Sequence, residues 1–231
     1  MAGSADSTLT ALAQKDSAAM IDEFAKEYLH RDLRAGRATM LWKLEGLAEY
    51  DVRRPLTPTG TNLLGLIKHL TNTEAWYFGE VFGRPFPERL PWRDDDADER
   101  TDNAKLASYF DNYFQLADMW ATDDESRVEI VDRYRRMCAH SDATIAALDI
   151  DASGHVRWWP RPDVKLFNIL VHVLSETNRH AGHADILREQ LDGAVGTEAG
   201  SAALHGRDAM FWEDHCAKIE RAARAADPAR A

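Results

Sequence analysis

Residues 166–191 read LFNILVHVLSETNRHAGHADILREQL. Steps of three or four from Ile169 give Ile169, Val173, Glu176, His180, His183, Leu187 and Leu191, a row that a helix lines up on one stripe. The adjacent row, Leu166, Leu170, Leu174, Thr177, Ala181 and Ala184, is apolar or small throughout. Together they make a face that belongs against a core, with a carboxylate and two imidazoles set into its middle. The spacing predicts a helix from about Val164 to Leu191, with Gly193 as its C-cap.

A carboxylate on a buried face is costly unless it is paired or binds a metal. Glu176 and His180 stand at i and i+4, where side chains lean the same way and their tips converge. His172, one turn upstream of Glu176, competes with His180 for the same role. Two readings stay open on spacing alone: a structural ion pair, or two ligands of one ion. The second needs a donor from a facing helix, and His69 in GLIKHLTNTEAW offers one, because its helical neighbours Leu66 and Trp76 are apolar. Taken singly, His69 reads as a hydrogen-bonded core histidine more readily than as a ligand. Two imidazoles and a carboxylate suit zinc, nickel, iron or manganese, and three protein ligands leave a position open for water or substrate.

The rest of the chain is also helical in pattern. Met20, Phe24, Leu29, Leu33, Leu41, Leu44 and Leu47 predict one long helix over about Ser17–Tyr50, after a frayed start in residues 1–15. Two prolines and a glycine in Asp51–Gly60 turn the chain. A second helix is expected from Thr61, capped by Thr59 or Thr61, to Gly83, with Pro85 just beyond. Pro85–Arg100, rich in proline and aspartate, reads as a solvated loop. Residues 102–147 carry helical patterning with a break near Ala121–Asp124, where Asp123 or Asp124 would cap the next helix. Asp149–Pro162 reads as a connection with a short extended piece at His155–Trp159, and a last helix is expected over about Arg207–Ala226. There is no βαβ pattern and no glycine-rich phosphate loop. The class is all-α, and a bundle buries several amphipathic helices most simply.

Composition narrows the function. The chain has 231 residues, 45% of them hydrophobic, which is enough for a core. Its 28 basic and 39 acidic residues leave a net charge of -11, which nucleic-acid backbones repel. The densest basic cluster is Arg133, Arg135 and Arg136. The two cysteines, Cys138 and Cys216, make no disulfide framework, and Cys138 sits on a predicted helix as a core residue. No stretch approaches the roughly 20 apolar residues of a membrane span. The first residues lack the basic-then-apolar pattern of a signal peptide, so a cytoplasmic protein is expected. Arginine outnumbers lysine 21 to 7, a bias of GC-rich genomes.

The stretches NLLGLIKHL, YFGEVFGRPFPE and ETNRHAGHADILRE resemble the DinB/YfiT-like superfamily of bundle metalloproteins, over about Phe24 to Gly193. The resemblance implies a four-helix bundle in about 17–193, and with the extra C-terminal helix read in about 207–226 a single domain over residues 1–231 is expected. It implies one divalent ion, zinc before nickel, iron or manganese, held by His69, Glu176 and His180. Many relatives have histidine at both later positions. A glutamate at the first is similar to the mycothiol-dependent maleylpyruvate isomerase branch. Characterised relatives largely use low-molecular-weight thiols, so the resemblance implies a thiol S-transferase joining a thiol, mycothiol first, to a small electrophile. A homodimer is expected on the same ground. His172, His183 or Asp185 would orient a ligand imidazole, and Arg179 would meet an anionic substrate group or simply stand on the surface. Trp76, Trp158 and Trp159 read as core or as cleft wall. The rival readings are a thiol-dependent isomerase, a metal-binding stress or interaction protein without turnover, and a metal-dependent hydrolase, for which no separate base stands out.

Overall fold

The computed structural model describes residues 3–92, 116–199 and 207–227, with side chains from residue 22 onward. Helix α1 spans Gly3–Trp42, so the chain is helical well before Ser17. It also stops earlier than the apolar pattern suggests. Residues 43–46 form a turn in which Gly46 takes a φ of 75°, and a short α2 follows at Glu49–Arg53. The carbonyls released by the break are collected by two arginines. Arg188 donates to Lys43 O at 3.0 Å and Glu45 O at 2.7 Å, while Arg127 donates to Leu44 O and Leu47 O. Tertiary donors thus compensate for ending the helix.

Helix α3 spans Leu63–Glu74 and is capped by Asn62, whose side chain accepts from Gly65 N at 2.7 Å, not by Thr59 or Thr61. Thr61 instead donates its N–H to Thr57 Oγ1 within the preceding turn. The helix continues as a π-helical turn, Ala75–Gly79, and a 3-10 turn, Glu80–Phe82, before Gly83 ends it in the left-handed region. Residues 85–92 of the predicted Pro85–Arg100 loop are turns and irregular backbone, while its acidic run and the first part of the 102–147 segment lie outside the described residues. Residues 116–125 are turns and loop, and helix α4, Arg127–Ala147, is capped by Ser126 in place of Asp123 or Asp124.

Strands β1 (Ser153–His155) and β2 (Asp163–Lys165) form a two-stranded antiparallel hairpin with Gly154 opposite Val164. The extended piece therefore lies earlier than His155–Trp159; Trp158 and Trp159 belong to the hairpin's loop, turned by a Trp159 N–H to Val156 O bond. Helix α5, Leu166–Asp192, starts directly from β2 and ends at Gly193 with a φ of 75°. Helix α6, Ala209–Ala226, is capped by Asp208, and every described residue in it is exposed.

Helices α1, α3, α4 and α5 make a four-helix bundle in which α1 packs along α5, and α3 packs on both α4 and α5. Contacts of Gly36 with Thr177 and of Lys43 with Asp185 show α1 and α5 running one way. The pairs Lys68–Glu125 and Arg84–Thr144 show α3 and α4 running together. Two successive helices pointing the same way require a long return connection, and that connection brings residues 116–125 back to the start of α3. The core is mainly aliphatic, with Leu33, Leu63, Leu64, Ile67, Leu70, Ile169, Leu170 and Val173 all fully buried, joined by Phe78 and Tyr134. One ionic clamp crosses it. Arg37 on α1 bonds both carboxylate oxygens of Glu74 at 2.6 Å and Asp142 on α4 at 2.6 Å. Among the described residues, no helix is long and apolar enough to cross a membrane.

Candidate metal centre

The antiparallel contact of α3 with α5 brings the three predicted donors together. His69, Glu176 and His180 each offer one ligand atom, and these atoms lie within 4.8 Å of one another. His180 Nε2 is 3.1 Å and His69 Nε2 is 3.8 Å from the same Glu176 Oε1, and the two imidazoles meet edge to face with centroids 4.9 Å apart. Zinc bonds to nitrogen and oxygen of about 2.0–2.2 Å, set in a tetrahedron, place neighbouring donors roughly 3.4 Å apart. The observed spacings straddle that value, so the donor set fits an ion of this kind in chemistry and in size.

The charges agree. His69 beside it holds the Glu176 carboxyl down to about 2, against the opposing effect of burial. Burial disfavours protonated His69, yet Asp118 and Glu176 on its two sides raise it to about 9. His180 goes the other way: burial, then the positive charge on His69, push it down to about 4 despite Glu176. A single positive charge thus settles between two carboxylates, while the second imidazole keeps a neutral nitrogen. In a metal-free protein a proton on His69 fills the place that suits a cation.

Asp118 was not legible as part of the site. Its Oδ2 accepts from His69 Nδ1 at 3.0 Å and from Asn72 Nδ2 at 3.3 Å. With Nδ1 carrying the hydrogen, Nε2 is left to face Glu176, the arrangement by which a carboxylate orients a metal-binding imidazole. The loop that carries Asp118 is pinned to α3. Asn62 Nδ2 donates to Met119 O at 3.1 Å, and Lys68 Nζ donates to Trp120 O at 2.9 Å and to Glu125 at 2.7 Å. Gly65 makes the close approach possible, since a Cβ there would stand 1.9 Å from Met119 O.

The other predicted residues divide. His183 Nδ1 lies 3.4 Å from His180 Nδ1, on the exposed side of α5. His172 is one turn from Glu176 but packs its ring against Tyr77 and Trp159, at centroid distances of 4.5 and 4.8 Å, and burial lowers its pKa. Asp185 does not orient an imidazole. It pairs with Lys43 Nζ at 2.6 Å across to α1, because five residues beyond His180 rotate it away from the triad. Arg179 is exposed, with Nη1 3.9 Å from Glu176 Oε2. Cys138 is unsuited as a nucleophile, since burial and then Glu74 push its thiol far up. Arg133, Arg135 and Arg136 each face a carboxylate of Glu129, Asp132 or Glu88, which neutralises the basic cluster.

No curated protein matches the chain as a relative. A family model described as Mycothiol-S-transferase does match, over residues 28–193. That span takes in the triad, Asp118 and most of the four bundle helices, and the chain belongs to the mycothiol-S-transferase family.

Proposed function

We propose that this protein is a metal-dependent S-transferase that joins a low-molecular-weight thiol, mycothiol by its family, to a small electrophile. The observation that carries the reading is the convergence of His69, Glu176 and His180 from two helices onto one point. These three side chains would hold a divalent ion, zinc first by the donor set, leaving one position for the thiol sulfur. Such an ion, when bound, supplies the positive charge that favours thiolate over thiol, and the thiolate is the nucleophile.

The chain's own groups do the remainder. Asp118 keeps the hydrogen of His69 on Nδ1, so that Nε2 faces inward. Glu176 stays ionised and close to both imidazoles. His180 Nδ1 meets the exposed His183 ring at 3.4 Å, which helps to hold the His180 ring in place, and the proton released by the thiol passes to solvent. The sulfur then bonds to the electrophilic carbon, and the displaced group leaves with its electron pair. Arg179, at the exposed rim beside Glu176, is placed to meet polar parts of the thiol.

Two measurements test the reading. Elemental analysis should find about one metal ion per chain, lost in His180→Ala; wild-type metal content in that variant would overturn the ligand assignment. The loaded protein should consume mycothiol in the presence of an electrophile such as a bimane. A rate equal to background with mycothiol and with every other cellular thiol would end the transferase reading.

A further inference from the structure

Trp76 and Tyr77 lie about two turns beyond His69, in the π-helical turn that continues α3, and His172 lies one turn before Glu176 on α5. Because the two helices are antiparallel, both steps lead away from the triad to the same place, and the Tyr77 ring reaches His172 at 4.5 Å. The hairpin loop closes on that place from a third direction. Trp158 stands 5.4 Å from Trp76 and 5.9 Å from Tyr77, and Trp159 stands 5.8 Å from Tyr77 and 4.8 Å from His172. Five rings from three elements thus meet one helical turn from Glu176.

The backbone is shaped to bring them there. Trp76 and Tyr77 sit in the π-helical turn Ala75–Gly79, whose extra residue re-aims the side chains of an otherwise regular helix. Such turns recur at functional places. The hairpin, an unusual addition to a bundle, is wedged against the following turn at Gly154, where a Cβ would lie 2.7 Å from Val81 Cγ1 and 2.9 Å from Phe82 Cε1. All five rings are half-buried, at the edge of a core whose own aromatic residues Phe78 and Tyr134 are fully buried. The opposite side of the triad differs in kind: Arg179 and His183 there are polar and exposed.

We propose that the cluster of Trp76, Tyr77, Trp158, Trp159 and His172 is the subsite for the electrophile, and that it selects flat, uncharged aromatic electrophiles. This rests on the reading of the triad as the thiol's site. Aromatic faces and edges reward a planar ring over a flexible alkyl chain, and the five residues include no arginine or lysine to pair with a carboxylate. The polar side, with Arg179 and His183, is left to the thiol.

The test compares N-phenyl-2-chloroacetamide with N-ethyl-2-chloroacetamide and the 4-carboxyphenyl analogue, using metal-loaded protein and mycothiol. Sulfur bonds to the methylene carbon, chloride leaves with the bonding pair, and the thiol proton passes to buffer, so no oxidant is needed. After division by each uncatalysed rate, the phenyl compound should exceed the ethyl compound in kcat/KM by about tenfold, the order of one aromatic contact. The carboxyphenyl compound should fall back to the ethyl level. Trp159→Leu and Tyr77→Leu should remove the preference while metal content stays at the wild-type level. Acetanilide, which cannot react, is titrated against wild-type tryptophan fluorescence and as a competitive inhibitor, with N-ethylacetamide as the control. This arm does not depend on any variant folding. A protein that turns over both chloroacetamides alike and ignores acetanilide keeps the transferase reading and loses the subsite. One that binds acetanilide and turns over nothing keeps the subsite and loses the transferase reading.

Discussion

Replacing Gly65 by alanine should weaken both the fold and the candidate metal centre, although alanine is the better helix former. The added Cβ would stand 1.9 Å from Met119 O and 2.5 Å from the carbonyl carbon, where real contacts stay beyond 3.0 Å. Since the obstruction is backbone, the loop must retreat by roughly 1 Å, an overpacking of the kind that costs about 1–3 kcal/mol. That retreat stretches the 3.1 Å bond from Asn62 to Met119 O out of range and loosens the Lys68 bond to Trp120 O, at about 1 kcal/mol each. The gain from removing a helical glycine returns only about 0.5–1 kcal/mol. The net loss is about 2–4 kcal/mol, or a fall in Tm of roughly 4–16 °C for a chain of this size. Asp118 rides on the same loop, so its 3.0 Å contact with His69 opens as well. Losing such an orienting carboxylate typically weakens metal binding about 10- to 100-fold. Urea melts of the metal-free protein and chelator competition with zinc measure the two effects separately. A Gly65→Ala protein as stable as the wild type, with the same zinc affinity, would refute the docking of this loop on α3.

Three further outcomes are expected. Asp118→Asn should lower zinc affinity about 10-fold or more, read by the same competition, because the amide no longer fixes the His69 hydrogen by charge. Arg37→Met removes the partner of a fully buried Glu74 and should cost about 3–5 kcal/mol in urea unfolding; adding Glu74→Gln should recover a large part of that loss. For Asp142, burial alone would raise the carboxyl, but His30 and Arg37 bring it down to about 2 from an ordinary 3.8. A depressed carboxyl stabilises the fold above its unfolded value and loses that effect as pH falls from about 4 toward 2. After discounting for its partial exposure, the wild type should exceed Asp142→Asn by about 1–2 kcal/mol at pH 6, and the difference should vanish near pH 2.

The local parts of this architecture were open to a reader of the chain, and the long-range parts were not. Glu176 and His180 share a helix, so a period of 3.6 residues was enough to bring their tips together, and the apolar neighbours of His69 told which way it faced. The same period also held the answer for Asp185, which five residues of rotation carry away from His180 toward Lys43 on α1. Asp118 was hidden for another reason. It reaches His69 because a long connection returns to the start of α3, and nothing in its own neighbourhood, FQLADMW, records that return. The π-helical turn at Ala75–Gly79 leaves no mark in an apolar pattern either, since one extra residue only shifts its phase. The early end of α1 had a local sign in Gly46, but the Leu41, Leu44 and Leu47 spacing runs through it, and the arginines that catch the freed carbonyls come from α4 and α5.

The donors of the triad come from α3 and α5, with all of α4 and the hairpin between them in the chain. An ion seated there is therefore a cross-link that closes a large loop and can exist only once the bundle has formed. Its binding energy becomes folding energy: free zinc at a thousand times its dissociation constant adds about 4 kcal/mol to the native state. Cells short of the metal would then hold less of this protein, and not merely a less active form of it.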